Sequence, residues 1–134
     1  MRLLIDTHIL LWAAVDDPKL RGSSRAAFLD PRHDLVVSAV TLWEIGIKYA
    51  LGKLPLPVPP RDFFAREIAD RGYAVLDLRR EHAERAAELP YLDREHRDPF
   101  DRMLVAQALV EGLPLLSVDG KFNAYASLGL RLLR

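Results

Sequence analysis

The sequence contains no cysteine. That excludes a disulfide framework, thiolate-bound zinc and a cysteine nucleophile, and it fits a reducing compartment. It also lacks a charge excess: 19 Lys and Arg balance 19 Asp and Glu. No broad positive field exists to gather nucleic acid, so any such contact must be local. Long apolar runs are missing too. Met1-Arg2-Leu3-Leu4-Ile5 is broken by Asp6 before a signal-peptide core develops, and no stretch approaches the ~20 residues of a membrane span. A soluble, cytoplasmic protein is expected. The Gly-rich phosphate loop, the dinucleotide-binding glycine turn and the nucleophile elbow of serine hydrolases are all absent. His8, His33, His82 and His96 show no metal-ligand spacing, so surface or capping roles are expected and a zinc site is not.

What remains is ordinary globular material. The chain has 134 residues, 50% hydrophobic and 28% charged, which predicts one domain over residues 1–134 with a core of its own. Leu3-Leu4-Ile5, Leu35-Val36-Val37 and Leu115-Leu116-Ser117-Val118 read as strands covered on both faces, because they lack polar alternation, and residues 73–78 read as a further strand. Residues 130–133 suit an edge strand. Helices are predicted between them. The first follows Asp6 or Thr7 as cap and stops before Asp16-Asp17-Pro18, and a second opens at Ser23 or Ser24 and ends at Asp30-Pro31. A third carries the stripe Val40, Trp43, Ile47 and Leu51 and ends at Gly52. Trp12 and Trp43 are read as core or dimer contacts. The proline-rich residues 54–60 should run extended, followed by helices over 61–71 and 81–89, the latter braced by Glu81 and Arg85. Residues 93–97 read as a polar loop, and residues 99–111 as a largely buried helix. Strands alternating with helices imply a three-layer α/β fold with a mostly parallel sheet.

Ligands in such sheets sit outside the carboxyl ends of the strands. Asp6 and Asp119 directly follow strands, Glu44 lies one turn or so beyond Ser38, and Asp98 and Asp101 begin the long helix. Each has a plain structural reading. Asp98-Pro99-x-Asp101 is a good helix start, Thr41 and Glu44 have capping-box spacing, Asp6 can cap its helix, and Asp119-Gly120 can be a turn. Together they mean more, since carboxylates crowded at one rim cannot all stay ionised without a cation or raised pKa values. An oxygen-only set suits Mg²⁺ or Mn²⁺ and phosphodiester chemistry. Lys48, Lys53, Arg97, Arg102 and Lys121 lie near these acids or strand ends in sequence. Arg102 and Lys121 are the candidates for phosphate contact, against a default of solvated surface charge.

The segments Leu3-Leu4-Ile5-Asp6-Thr7-His8, Ser38-Ala39-Val40-Thr41-Leu42-Trp43-Glu44-Ile45, Arg97-Asp98-Pro99-Phe100-Asp101-Arg102 and Leu115-Leu116-Ser117-Val118-Asp119 occur in one order along the chain. In that order and spacing they resemble PIN-domain ribonucleases of the VapC type, the toxins of type II toxin–antitoxin pairs. The resemblance implies a parallel sheet of about five strands between helices, commonly in a homodimer. It implies that Asp6, Glu44 and Asp101 hold Mg²⁺ or Mn²⁺, with Asp119 as a fourth and more variable acid. Asp98 either joins them through water or only caps its helix. Thr7 and Ser117 match hydroxyl positions that orient acids or water, Ser117 standing where threonine is frequent. The implied substrate is RNA, often transfer or ribosomal RNA, and the implied partner is a VapB-type antitoxin whose carboxyl-terminal segment covers the acids. Three other readings stay open: an RNA-processing PIN nuclease without antitoxin, a PIN-like binding module without catalysis, and a regulatory receiver domain. The last would need paired acids after the first strand, whereas Asp6 stands alone.

Overall fold

The computed structural model describes residues 1–92 and 97–134. Residues 93–96, including His96 and most of the expected polar loop, lie outside the described residues. The elements run β1 (Arg2–Ile5), α1 (Thr7–Ala14), α2 (Gly22–Leu29), β2 (Asp34–Ser38), α3 (Ala39–Ala50), α4 (Pro60–Arg71), β3 (Ala74–Leu76), α5 (Arg80–Glu88), α6 (Pro99–Glu111), β4 (Leu115–Leu116), a 3₁₀ segment (Gly120–Leu128) and β5 (Leu132–Leu133). All strand pairs are parallel, in the order β3-β2-β1-β4-β5. Leu4 is in register with Val36 on one side and Leu115 on the other.

Alternate strand residues feed two apolar layers. Leu4, Val36 and Leu115 pack with Leu104, Val105 and Ala108 of α6 and with Phe122 and Tyr125. Ile5, Val37 and Leu116 pack with Ile9, Leu10, Phe28 and Ile45. Burial on both faces is why β1, β2 and β4 read as unbroken apolar runs, whereas Ala74 and Val75 of the edge strand β3 are exposed. The chain winds outward from β1 to β3 and then returns to place β4 beside β1. The strand order therefore reverses between β1 and β4, which is where a sheet of this kind opens a crevice at its carboxyl rim. A receiver-type sheet sets its third strand beside its first; here β2 separates them, so the receiver reading is overturned.

Several local expectations need correction. The strand expected over 73–78 is the three-residue β3, and that expected over 115–118 is the two-residue β4. Helix α2 begins at Gly22, with neither Ser23 nor Ser24 as cap. Arg21 takes that position, and the Ser24 hydroxyl instead donates back to the Arg21 carbonyl at 2.8 Å. On α5 the ion pair joins Arg80 to Glu84 at 2.7 Å, in place of Glu81 to Arg85 among the described residues. The largest correction concerns α3. Its buried face is Val40, Thr41, Glu44 and Ile45, while Trp43 is 61% and Leu51 63% exposed. The stripe is split, Val40 facing inward and Trp43 and Leu51 outward, because the inward face is shared with Thr41 and Glu44 of the rim. Trp12, by contrast, is half-buried against the second apolar layer. His82 is fully buried, where its Nδ1 accepts from the Arg79 amide at the start of α5 and its Nε2 meets Glu111 at 2.8 Å. No helix among the described residues is long and apolar enough to cross a membrane.

Candidate active site

The carboxyl ends of β1 and β4 deliver Asp6 and Ser117 to opposite sides of the crevice. Asp6 is 3% exposed and caps α1, its Oδ1 accepting from the amides of His8 (2.6 Å) and Ile9 (3.2 Å). Its Oδ2 accepts a short hydrogen bond from the Ser117 hydroxyl, which also receives the Asp119 amide at 3.0 Å. Asp119 in turn caps the 3₁₀ segment through Lys121 N at 2.9 Å. One side chain, Ser117, thus fixes both strand-end acids relative to each other.

Glu44 arrives from α3, which begins at Ser38. The Ser38 Oγ accepts from Val40 N at 3.0 Å and donates to Gln107 Oε1 of α6 at 2.5 Å, tying the two acid-bearing helices together. Ser38 being the cap, Thr41 and Glu44 do not form a capping box. Instead the Thr7 hydroxyl donates to Glu44 Oε1 at 2.6 Å, and Lys48 Nζ donates to Glu44 Oε2 at 2.5 Å. Thr41 Oγ1 stands 3.3 Å from Thr7 Oγ1. Sequence reasoning did not foresee Thr41 lining the site or Lys48 pairing with Glu44, although the four-residue spacing of Glu44 and Lys48 on one helix was a usable signal.

Asp98 and Asp101 open α6. Asp98 Oδ1 accepts from the amides of Phe100 (2.8 Å) and Asp101 (3.2 Å), so this carboxylate caps the helix. Burial pushes the Asp101 carboxyl up to about 7, and the charges of Asp98, Glu44, Asp6 and Asp119 act in the same direction. Burial also raises Asp6, against the hydrogen bonds from Ser117, Ile9 and His8. Burial works to discharge the Lys48 ammonium, yet the Glu44 hydrogen bond and the charges of Glu44, Asp98 and Asp101 hold it above its ordinary value. The five acids therefore share one electrostatic neighbourhood centred on Asp101. Among the described residues, no three acidic or imidazole groups already stand as a finished metal cage. The donor chemistry nevertheless fits a hard divalent ion: oxygen ligands only, partly buried and mutually repelling.

The two basic candidates part ways. Arg102 is 6% exposed, and its guanidinium donates to the carbonyls of Leu89 (2.7 Å), Pro90 (3.2 Å) and Ala86 (3.3 Å) while lying 3.8 Å from the centroid of the Tyr91 ring. The expected phosphate contact at Arg102 is thereby corrected, since its donors fasten the end of α5. Lys121 is exposed beside Asp119.

The sequence model of the PIN domain matches residues 3–128. Ribonuclease VapC16 of Mycobacterium tuberculosis is 36% identical over 61 residues, 46% of this chain and 43% of that protein, so the match spans less than half of the relative. Among solved structures, VapBC-1 from nontypeable Haemophilus influenzae superposes with a TM-score of 0.67 at 21% identity, covering 98% of this chain and 96% of that one. VapBC2 from Rickettsia felis, bound to a DNA fragment from its promoter, gives 0.66 at 17% identity, covering 98% and 97%. Identities this low carry the fold and nothing further. The family match spans nearly the whole chain and takes in Asp6, Glu44, Asp98, Asp101 and Asp119, and by it the chain belongs to the PIN-domain family.

Proposed function

We propose that this protein is a divalent-metal-dependent endoribonuclease of the VapC type, the toxin of a toxin–antitoxin pair. The observation that carries this reading is the Asp101 carboxyl, raised to about 7 with four other carboxylates acting on it. Such a group is costly to keep charged unless a cation is bound, and perturbed acids in a cleft mark working sites. Asp6, Glu44, Asp101 and Asp119 would hold Mg²⁺ or Mn²⁺, with Asp98 capping its helix at their edge. When bound, the ion supplies Lewis acidity toward a phosphodiester and lowers the pKa of water. The chain's own residues set direction. Ser117 aims Asp6, Thr7 aims Glu44 while Lys48 supplies its counter-charge, and the Ser38–Gln107 bond keeps α3 and α6 in step.

The proposed substrate is RNA, most simply transfer or ribosomal RNA, and the proposed partner is a VapB-type antitoxin covering the acids. These partners place the action in the cytoplasm. One domain spans residues 1–134 in this reading. The homodimer fits the apolar surface around Trp43, which stands edge-on to Phe100 at 5.3 Å and lines a depression with Ala39, Val40 and Leu78. The neutral net charge predicts modest nonspecific RNA affinity with a shallow salt dependence.

The test is cleavage of total cellular RNA by purified protein with Mn²⁺ or Mg²⁺, beside a chelator control and an Asp6→Asn, Asp101→Asn double variant. Discrete fragments are expected only with metal and intact acids, with a loss above about a hundredfold in the variant. Intact RNA in the presence of protein that binds Mn²⁺ and is free of antitoxin would move the non-catalytic binding module ahead.

A further inference from the structure

Beside the acids lies a groove of about 490 Å³, reached by way of Thr7 and Glu44 and walled by α1, α3, residues 53–57 and Phe63 of α4. Its character differs from the rim's. Trp12, Leu11, Pro55 and Pro57 give it apolar walls, and Lys48, Lys53 and Lys19 give it ammonium groups. His8 is exposed at its edge and stands against the Trp12 ring, with centroids 5.7 Å apart and planes at 38°. In a chain with no net charge, the groove's three lysines outnumber its two lining acids, Asp17 and Glu44, and with the aromatic wall they call for an occupant that is anionic at one point and flat at another. A nucleotide strand has that alternation, since every base has a π-face and every linkage a charge.

Lys48 joins the two regions. Its Nζ is bound to Glu44 while its side chain, 39% exposed, lines the groove. Resting on the nuclease reading above, we propose that this groove seats the RNA strand on one side of the cleaved bond. One base lies against Trp12, and one phosphate takes the Lys48 ammonium from Glu44. Lys48 is then a resident counter-charge for Glu44 in the free protein and a phosphate ligand in the complex. The exchange would free Glu44 to hold a divalent cation when substrate is present.

Four substitutions test this: Trp12→Ala and Lys48→Met, with Trp12→Phe and Lys48→Arg as versions that keep the ring and the charge. Binding of a fluorescent eight-nucleotide single-stranded RNA, followed by anisotropy in an Asp6→Asn background, is expected to weaken about tenfold for Trp12→Ala. Lys48→Met should weaken it similarly and flatten the salt dependence by about one phosphate contact. The conservative versions should recover most of the loss. Arg80→Met, which removes an exposed charge on α5, should change neither property. Mn²⁺ titration of metal-free Lys48→Met should show equal or tighter ion binding, because a competitor for Glu44 has gone; a merely structural lysine would weaken it.

RNA binding and cleavage unchanged in both Trp12→Ala and Lys48→Met would overturn the groove while leaving the nuclease reading intact. The same unchanged RNA behaviour, coupled with lost inhibition by the antitoxin, would assign the groove to the protein partner and overturn the proposal equally. If the wild-type protein binds Mn²⁺ and cuts no RNA, the nuclease reading has failed, and with it the proposal that rests on it.

Discussion

Helix α6 keeps its site acids at its start, Asp98 as cap and Asp101 in the first turn, with its buried apolar residues behind them, whereas α3 places Glu44 in mid-helix among Val40, Thr41 and Ile45. The difference lies in what each arrangement demands of its surroundings. At a helix start, backbone amides are already free to receive a carboxylate, and Asp98 uses two of them. In mid-helix no amide is free, so Glu44 needs partners from elsewhere: Thr7 from α1 and Lys48 from one turn on. An acid at the end leaves the body of the helix free to be buried, as the unbroken run from Leu104 to Ala108 is. An acid in the middle displaces core residues and turns apolar ones outward.

The widest expected gap between the two helices is in stability. Leu104→Ala on α6 should cost about 2–5 kcal/mol in urea unfolding, because the site is fully enclosed. Trp43→Ala on α3, at protein concentrations too low for association, should stay within about 0.5 kcal/mol. A larger loss at Trp43 than at Leu104 would break the comparison.

A smaller effect concerns charge. The folded Asp101 carboxyl titrates at about 7, above its ordinary 3.8, so the folded state holds its proton more tightly than the unfolded chain does. That preference is fully present below the unfolded value and is lost as pH rises through the folded one, leaving a destabilising charge above pH 7. Asp101→Asn in chelator should therefore raise stability at pH 8 by about 1–2 kcal/mol, allowing for partial solvent screening, and by little at pH 4. Glu44→Gln should give no such gain, because it strips Lys48 of its partner. Thermal melts at the two pH values separate these outcomes.

The smallest effect tests hydroxyls. Thr7 Oγ1 has an acceptor, whereas the buried Tyr73 hydroxyl has no hydrogen-bond partner among the described residues, and burial pushes its phenol up to about 12. Tyr73→Phe should change stability at pH 7 by less than about 0.5 kcal/mol. In the wild type the unfolded phenol ionises near its ordinary 10.0 while the folded one does not. Stability is then lost above that pH, and the variant should be spared the loss. Equilibrium unfolding at pH 7 and pH 10.5 reads both.

Much of this was legible in the sequence, and the reasons are local. Asp6 and Asp98 combine an element boundary with a capping side chain, so their placement follows from neighbouring residues, whereas the cap of α3 is Ser38 and not the Thr41 that the capping-box spacing suggested. The unbroken apolar runs announced a sheet covered on both faces. Residues whose partners are remote were not legible. Arg102 adjoins an acid in sequence but turns to the carbonyls of α5. His82, expected in a surface or capping role, does cap α5 through the Arg79 amide, but its enclosure with Gln107 and Glu111 depends on remote partners. The α3 stripe misled at Trp43 and Leu51 because periodicity measures apolarity, and here Thr41 and Glu44 share the inward face with Val40 and Ile45. The 3₁₀ segment over Gly120–Leu128, with Phe122 and Tyr125 buried, gave no periodic signal of the usual helical kind.

Asp6, Asp98 and Asp119 share one habit: each caps the element that follows it. Helix starts elsewhere offer their free amides to phosphates and other anions from outside. Here the chain fills those berths with its own carboxylates, and the polarity of the rim is inverted. What would have been a trap for anions is closed to them, and under the metal-dependent reading proposed above it would serve as an aperture for cations, with walls pinned beforehand so that the ordering cost of receiving an ion is lowered.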